Sequence, residues 1–283
     1  MSNIVYLNGK YSNAEDATIS VFDRGVLFAD SIYEVIPVYS GRPFFVSRHL
    51  ERLQSNLQKI QIDIAETDWL SIFNELINRN GGGNLQVYLQ ITRGNEGVRK
   101  HDIPKGIKPT VFAFTLHAPY PTDADKRQGL QASIIEDFRW LRCDIKSNAM
   151  LANIMLNDTA VSTGAQTALL SRDGFLTEGS SSNIFIVDAN GVIKTPPLNN
   201  FCLPGITRQV TIELIKALNL PFREELIPIT DIFNAQELMI TSTTKEIYPV
   251  TRVNGHQIGT GCGGPYWEQL NTRYHQLVEQ SHD

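Results

Sequence analysis

Apolar residues along this chain switch between a spacing of two and spacings of three and four. Residues 4–7, the turn Asn8-Gly9 and the following Lys10-Tyr11 predict a β-hairpin. Residues 32–39, the turn Ser40-Gly41 and residues 43–46 predict a second. Leu50, Leu53, Leu57 and Ile60 then fall on one face of a helix, and residues 67–78 predict another amphipathic helix. Asn80-Gly81-Gly82-Gly83-Asn84 turns the chain into a strand over 85–92, with one more over 111–116.

His117-Ala118-Pro119-Tyr120-Pro121-Thr122-Asp123 is polar and carries two prolines, which suits a connection between domains. The pattern therefore predicts a domain over 1–118, a linker over 119–123 and a larger domain over 124–283. The second half opens with a strand over 131–136. A helix follows Lys146 through 149–161, another starts after Pro204-Gly205, a short one lies near Asp231, and the last runs over about 266–279. Between them, strands are punctuated by Arg172-Asp173-Gly174, Ala189-Asn190-Gly191 and Val253-Asn254-Gly255. The fold class predicted is mixed α and β in two domains.

With 283 residues, 42% hydrophobic and 19% charged, the chain has the composition of a globular protein. A net charge of −5 argues against nucleic acid or an anionic membrane surface as the main partner. Three scattered cysteines give no disulfide framework and no zinc spacing, so no metal is expected and a reducing cytoplasm is. No apolar run approaches the roughly 18 residues that span a bilayer, and Asn3-Ile4-Val5-Tyr6 does not read as a secretory signal.

The candidate chemistry begins with Lys146, which ends Arg139-Trp140-Leu141-Arg142-Cys143-Asp144-Ile145-Lys146. Most lysines are solvated surface residues, so Lys146 gains meaning only with Glu178, in Thr177-Glu178-Gly179-Ser180-Ser181-Ser182-Asn183. An amine condenses with an aldehyde cofactor, and a carboxylate holds a ring nitrogen protonated so that the ring accepts electrons. Leu203-Pro204-Gly205-Ile206-Thr207-Arg208 opens a helix whose first amides, at Ile206 and Thr207, suit a phosphate, although most helix starts bind none. Ser242, Thr243 and Thr244 add hydroxyl donors at a strand end. Arg52 adds a planar fork of donors, with Arg48 equally placed by pattern. Arg99 and His101 suit a substrate carboxylate, against the simpler reading of a solvated basic loop. Gly259-Thr260-Gly261-Cys262-Gly263-Gly264 fits a dinucleotide pattern, but too little chain follows for a βαβ unit.

Taken in order, Phe28-Ala29-Asp30-Ser31-Ile32-Tyr33-Glu34-Val35, the stretch 139–147, Thr177-Glu178-Gly179-Ser180-Ser181-Ser182-Asn183, Gly205-Ile206-Thr207-Arg208 and Thr241-Ser242-Thr243-Thr244 resemble one family across nearly the whole chain. It is the class IV, fold-type IV aminotransferases that use pyridoxal 5′-phosphate, and within them the D-amino acid branch. The resemblance implies that Lys146 forms the Schiff base and shuttles a proton, and that Glu178 faces the pyridine nitrogen. It assigns the phosphate to Arg52 rather than Arg48, with Ile206, Thr207 and Thr243, and packs Leu203 against the ring. It also implies a small N-terminal α/β domain, a larger pseudo-barrel domain and a homodimer with a site between the domains. Tyr33, with Arg99 and His101 of the partner subunit, would trap the substrate carboxylate. D-alanine or a similar donor would pass its amino group to 2-oxoglutarate or another keto acid. Alternatives are a branched-chain L-aminotransferase, an aminodeoxychorismate lyase, or a non-catalytic pyridoxal-phosphate-binding protein.

Overall fold

The computed structural model describes residues 3–280, so the outermost residues of the two expected domains, 1–2 and 281–283, lie outside the description. The chain divides into two compact units. The first runs through Pro119 and takes in Ile145–Ala149; the second comprises Tyr120–Asp144 and Met150–Gln280. The lysine-bearing segment thus belongs to the unit built from the first third of the chain.

In the first unit, β1 (Ile4–Leu7), β2 (Lys10–Asn13), α1 (Arg24–Phe28), β3 (Ser31–Tyr39), β4 (Arg42–Pro43), α2 (Val46–Lys59), α3 (Trp69–Arg79), β5 (Leu85–Thr92) and β6 (Thr110–Leu116) follow in order. Their sheet is antiparallel, in the order β2-β1-β6-β5-β3-β4. Strand alternation puts Ile32, Ile36 and Val38 in one core with Leu53 and Leu57 of α2 and Phe73, Leu76 and Ile77 of α3. The second predicted hairpin is cut short: β4 is two residues, Phe45 turns left-handed at φ 53°, and Val46 already begins α2. The apolar run over 43–46 matched a strand locally, but Phe44 and Val46 are buried where the chain turns into α2.

The second unit holds α4 (Asp123–Gln128), β7 (Leu130–Glu136), α5 (Leu151–Ser162), β8 (Thr167–Arg172), β9 (Phe175–Gly179), β10 (Asn183–Val187), β11 (Ile193–Thr195), α6 (Ile206–Ala217), β12 (Phe222–Glu224), β13 (Glu237–Ser242), β14 (Glu246–Val253), β15 (His256–Gln257) and α7 (Pro265–Gln280). The strands form a mixed sheet ordered β12-β11-β10-β13-β14-β7-β8-β9, with β15 added to β14. Leu176 of β9, Ile184 and Ile186 of β10 and Val250 of β14 share one core although β9 ends the strand order, so the sheet curls on itself as a half-barrel. Helix α4 begins inside the stretch read as linker. Its signal was the capping box in which the Thr122 hydroxyl accepts from the Asp125 amide and Asp125 accepts from Thr122 N–H. Among the described residues no helix is long and apolar enough to cross a membrane.

One fully buried lysine ties this unit together. Lys126 of α4 meets Glu246 of β14 and donates to Asn271 of α7 at 2.9 Å. Removing the cation takes from the buried Glu246 its closest cationic partner, leaving His275 at 3.3 Å. Lys126→Ala should therefore lower stability by about 3–5 kcal/mol in urea unfolding; a loss within error would mean that water replaces the ammonium.

Candidate cofactor site

In the first unit the site residues gather on β3 and α2. Ser147 bridges Ile32, and the Tyr33 amide donates to the Lys146 carbonyl at 3.1 Å, so residues 145–149 lie along β3 as a short extra rung. From α2, Asn56 accepts the Lys146 amide at 2.8 Å while its own Nδ2 donates to the Arg52 carbonyl at 2.8 Å. Ser31 bonds Asn148, which pins the far side of the lysine. The Lys146 ammonium stands 4.1 Å from the centroid of the Tyr33 ring, and Tyr33 stacks on Tyr88 at 5.6 Å.

Glu34 lies on the opposite, core face of β3, with the parity of Ile32 and Ile36. A charge at that parity is tolerated because α2 supplies partners. Arg52 donates from Nε and Nη2 to the two carboxylate oxygens at 2.7 Å each, and His49 Nδ1 donates at 2.8 Å. Arg48, by contrast, is half-buried over the ring of Phe45 at 4.3 Å. Arg99 and His101 are exposed and flank Phe28, the arginine at 5.3 Å and the imidazole at 5.4 Å. Their loop is anchored where Arg24 donates to the Lys100 carbonyl at 2.7 Å. It starts at Gly94, whose φ of 107° and 2.1 Å from a would-be Cβ to the Lys108 carbonyl admit no side chain.

In the second unit Glu178 is buried. Its Oε1 accepts from Arg139 Nη1 at 2.6 Å, and its Oε2 from the Leu203 amide at 2.9 Å and Asn183 Nδ2 at 3.3 Å. Burial pushes its carboxyl up, and Arg139 opposes that. Helix α6 starts at Ile206 with no side chain capping it, since its N-cap is Gly205, where a Cβ would stand 2.1 Å from Asn183 Oδ1. The turn after β13 carries Thr243 and Thr244, with the Lys245 amide donating to Ser242 Oγ at 3.2 Å. Among the described residues, the buried hydroxyls of Ser182 and Thr241 have no hydrogen-bond partner.

These donor sets fit a pyridoxal phosphate. A primary amine suits its aldehyde, a buried carboxylate its ring nitrogen, and uncapped helix amides its phosphate. Pattern reading missed Glu34, His49, Asn56, Asp137, Arg139 and Asn183. Glu34 alone left a signal, a charge at a core position of an alternating strand.

A family model for class IV amino-transferases matches residues 31–253. The chain belongs to the class IV aminotransferases. It is 37% identical over 278 residues to a D-alanine aminotransferase of Staphylococcus haemolyticus, covering 97% of this chain and 98% of that one. A D-alanine aminotransferase of Bacillus licheniformis is 37% identical over 270 residues, covering 95% and 94%. In fold, the chain is similar to the branched-chain amino acid aminotransferase of Escherichia coli, at a TM-score of 0.90 and 23% identity over 100% of this chain and 97% of that one. As a member of this family the protein is an enzyme whose cofactor is pyridoxal 5′-phosphate.

The buried pair of His49 on α2 and Glu34 on β3 makes the protein acid-sensitive in two steps. Desolvation holds His49 below its ordinary 6.5, so the folded protein binds fewer protons than the unfolded chain just under that pH. Burial alone would raise Glu34, but Arg52 and His49 outweigh it and hold the carboxyl well below its ordinary 4.5. Both contributions are present at neutral pH: the histidine's fades below 6.5 and the glutamate's below 4.5. Unfolding free energy measured against pH should show both declines, and His49→Gln should abolish the upper one.

Proposed function

We propose that the protein is a D-amino acid transaminase, moving the amino group of D-alanine or a related donor to 2-oxoglutarate or another 2-keto acid in two half-reactions. The observation that carries this is the identity to D-alanine aminotransferases across both units. The bound cofactor supplies the electron sink that makes the Cα proton acidic. The chain's own residues do the rest. Lys146, held at its backbone by Asn56 and β3, would be the residue whose amine meets the cofactor's aldehyde and whose nitrogen would take and return the Cα proton. Glu178 keeps a proton on the ring nitrogen. Arg52, Ile206, Thr207, Ser242 and Thr243 hold the phosphate, Leu203 packs against the ring, and Tyr33 with Arg99 and His101 of the partner subunit holds the substrate carboxylate.

The working particle in this reading is a homodimer. Exposed apolar residues on the second unit support it: Leu151, Ile154 and Met155 on α5, with Phe138, Trp140 and Leu141 before the lysine segment. Three free thiols support a cytoplasmic location.

The purified protein should show a yellow absorption band that bleaches with D-alanine and not with L-alanine. Lys146→Ala should keep some cofactor affinity and lose the bleaching. Bleaching by L-substrates alone would move the enzyme to the L-specific branch, and a protein that stays colourless after incubation with pyridoxal phosphate would sink the lysine assignment. Subunit sharing has its own test. Lys146→Ala and Arg99→Ala chains should each be inactive, yet unfolded together and refolded they should recover about a quarter of wild-type activity. Half of the random dimers then hold one intact site of two. No recovery would place Arg99 in its own subunit's site, and an active Arg99→Ala homodimer would put it outside the reaction.

A further inference from the structure

Behind Glu178 lies a buried chain of charges. Asp137, just past β7, receives three bonds at 3.0 Å from Arg139: one from its amide, one from Nε to Oδ1 and one from Nη2 to Oδ2. The third nitrogen of the same guanidinium, Nη1, meets Glu178 at 2.6 Å. Arg172 of β8 approaches Asp137 Oδ2 at 3.2 Å from the outer side, lies over the Phe201 ring at 4.3 Å and keeps 12% of its side chain exposed. Thr177 donates to Asp137 at 3.3 Å. Cys143 and Cys202 border the cluster, and burial pushes both thiols up, the first to about 11, so neither adds a charge at neutral pH.

An arginine paired with Glu178 alone would be a poor device for holding a ring cation. The guanidinium would satisfy the carboxylate by itself, and a second positive charge beside it would be repelled. Asp137 changes that balance. It takes two of the three guanidinium nitrogens, so Asp137, Arg139 and Glu178 together carry one negative charge (two carboxylates, one guanidinium). A protonated ring nitrogen neutralises that charge. Arg172 would cancel it, but it sits at the solvent-touched end of the chain, where its charge is better screened. The proton affinity of Glu178 follows the same logic, with burial raising it, Arg139 lowering it and Asp137 raising it.

We propose that Asp137 is a positioning residue that acts through Arg139 to leave Glu178 enough negative charge to keep the cofactor's ring nitrogen protonated. The inference rests on the reading that Glu178 faces that nitrogen. It also assigns Arg172 the opposite sign of influence, which a purely structural role for the cluster would not produce.

The test uses holoenzyme loaded with pyridoxal phosphate carrying 15N in the ring, with the nitrogen's chemical shift followed against pH. Asp137→Asn should lower the ring nitrogen's apparent pKa by about one unit, a tenfold loss of proton affinity. Arg172→Gln should raise it by less. Shifts of the same sign in both variants, or no shift in either, overturn the proposal. If Asp137→Asn does not fold, Arg172→Gln decides the matter alone, and the absence of a rise overturns it. Glu178→Gln separates the two layers of inference. A ring that stays protonated in that variant removes the Glu178 reading itself, whereas a ring deprotonated there but unmoved by the Asp137 and Arg172 variants removes only the role given to Asp137.

Discussion

A carboxylate taken out of water has to find a cation, and both halves of this enzyme's chemistry are arranged around that requirement. Glu34 meets it with Arg52 and His49 on α2, and Glu178 meets it with Arg139. Neither acid could sit where it does without its partner, and each partner is fixed in turn. The Glu34 pair joins β3 to α2, the two elements whose backbone and Asn56 side chain hold Lys146. The Glu178 network joins β8, β9 and the segment that leads into α6. Electrostatic necessity and the placing of reactive groups are therefore the same set of contacts.

The excursion of Ile145–Ala149 into the first unit has a similar logic. In the proposed reading Lys146 is the reactive amine, and an amine in that role needs its carbon stem to start from a fixed point. Lysine has four rotatable bonds and loses much entropy when ordered, so the protein fixes the backbone instead. One amide goes to Asn56, one carbonyl to β3, and the neighbouring Asn148 to Ser31. The side chain is then confined by the face of Tyr33 rather than by an ion pair.

How much of this could be read from the sequence depends on how far apart the cooperating residues lie. Strand and helix periodicity gave both units' main elements, because burial of one face is a local pattern. It failed at 43–46, where four apolar residues fit a strand and the chain turns into α2, and at α4, where the capping box was embedded in a stretch that read as linker. Lys146 and Glu178 were legible as chemical types near turns, and the resemblance gave them roles. Arg48 and Arg52 could not be separated by pattern, being one helical turn apart. What separates them is Glu34, which arrives from another strand. Asp137, just past the end of β7, left no mark at all, since an acid there has the same appearance whether it is solvated or holds a buried network.

The remaining constraint concerns the phosphate. With a net charge of −5, the chain has no surplus of cations to spend on a dianion. Arg52 already faces Glu34, and Arg139 already faces two acids, so their fields are largely cancelled at a distance. In the second unit, a neutral group that could face an anion is the uncapped start of α6 behind Gly205. Dipoles of this kind act only at contact. In the proposed reading such a site would hold a phosphate by fit and hydrogen bonding and exert little pull at long range, which would suit a cofactor that stays in place while substrates come and go.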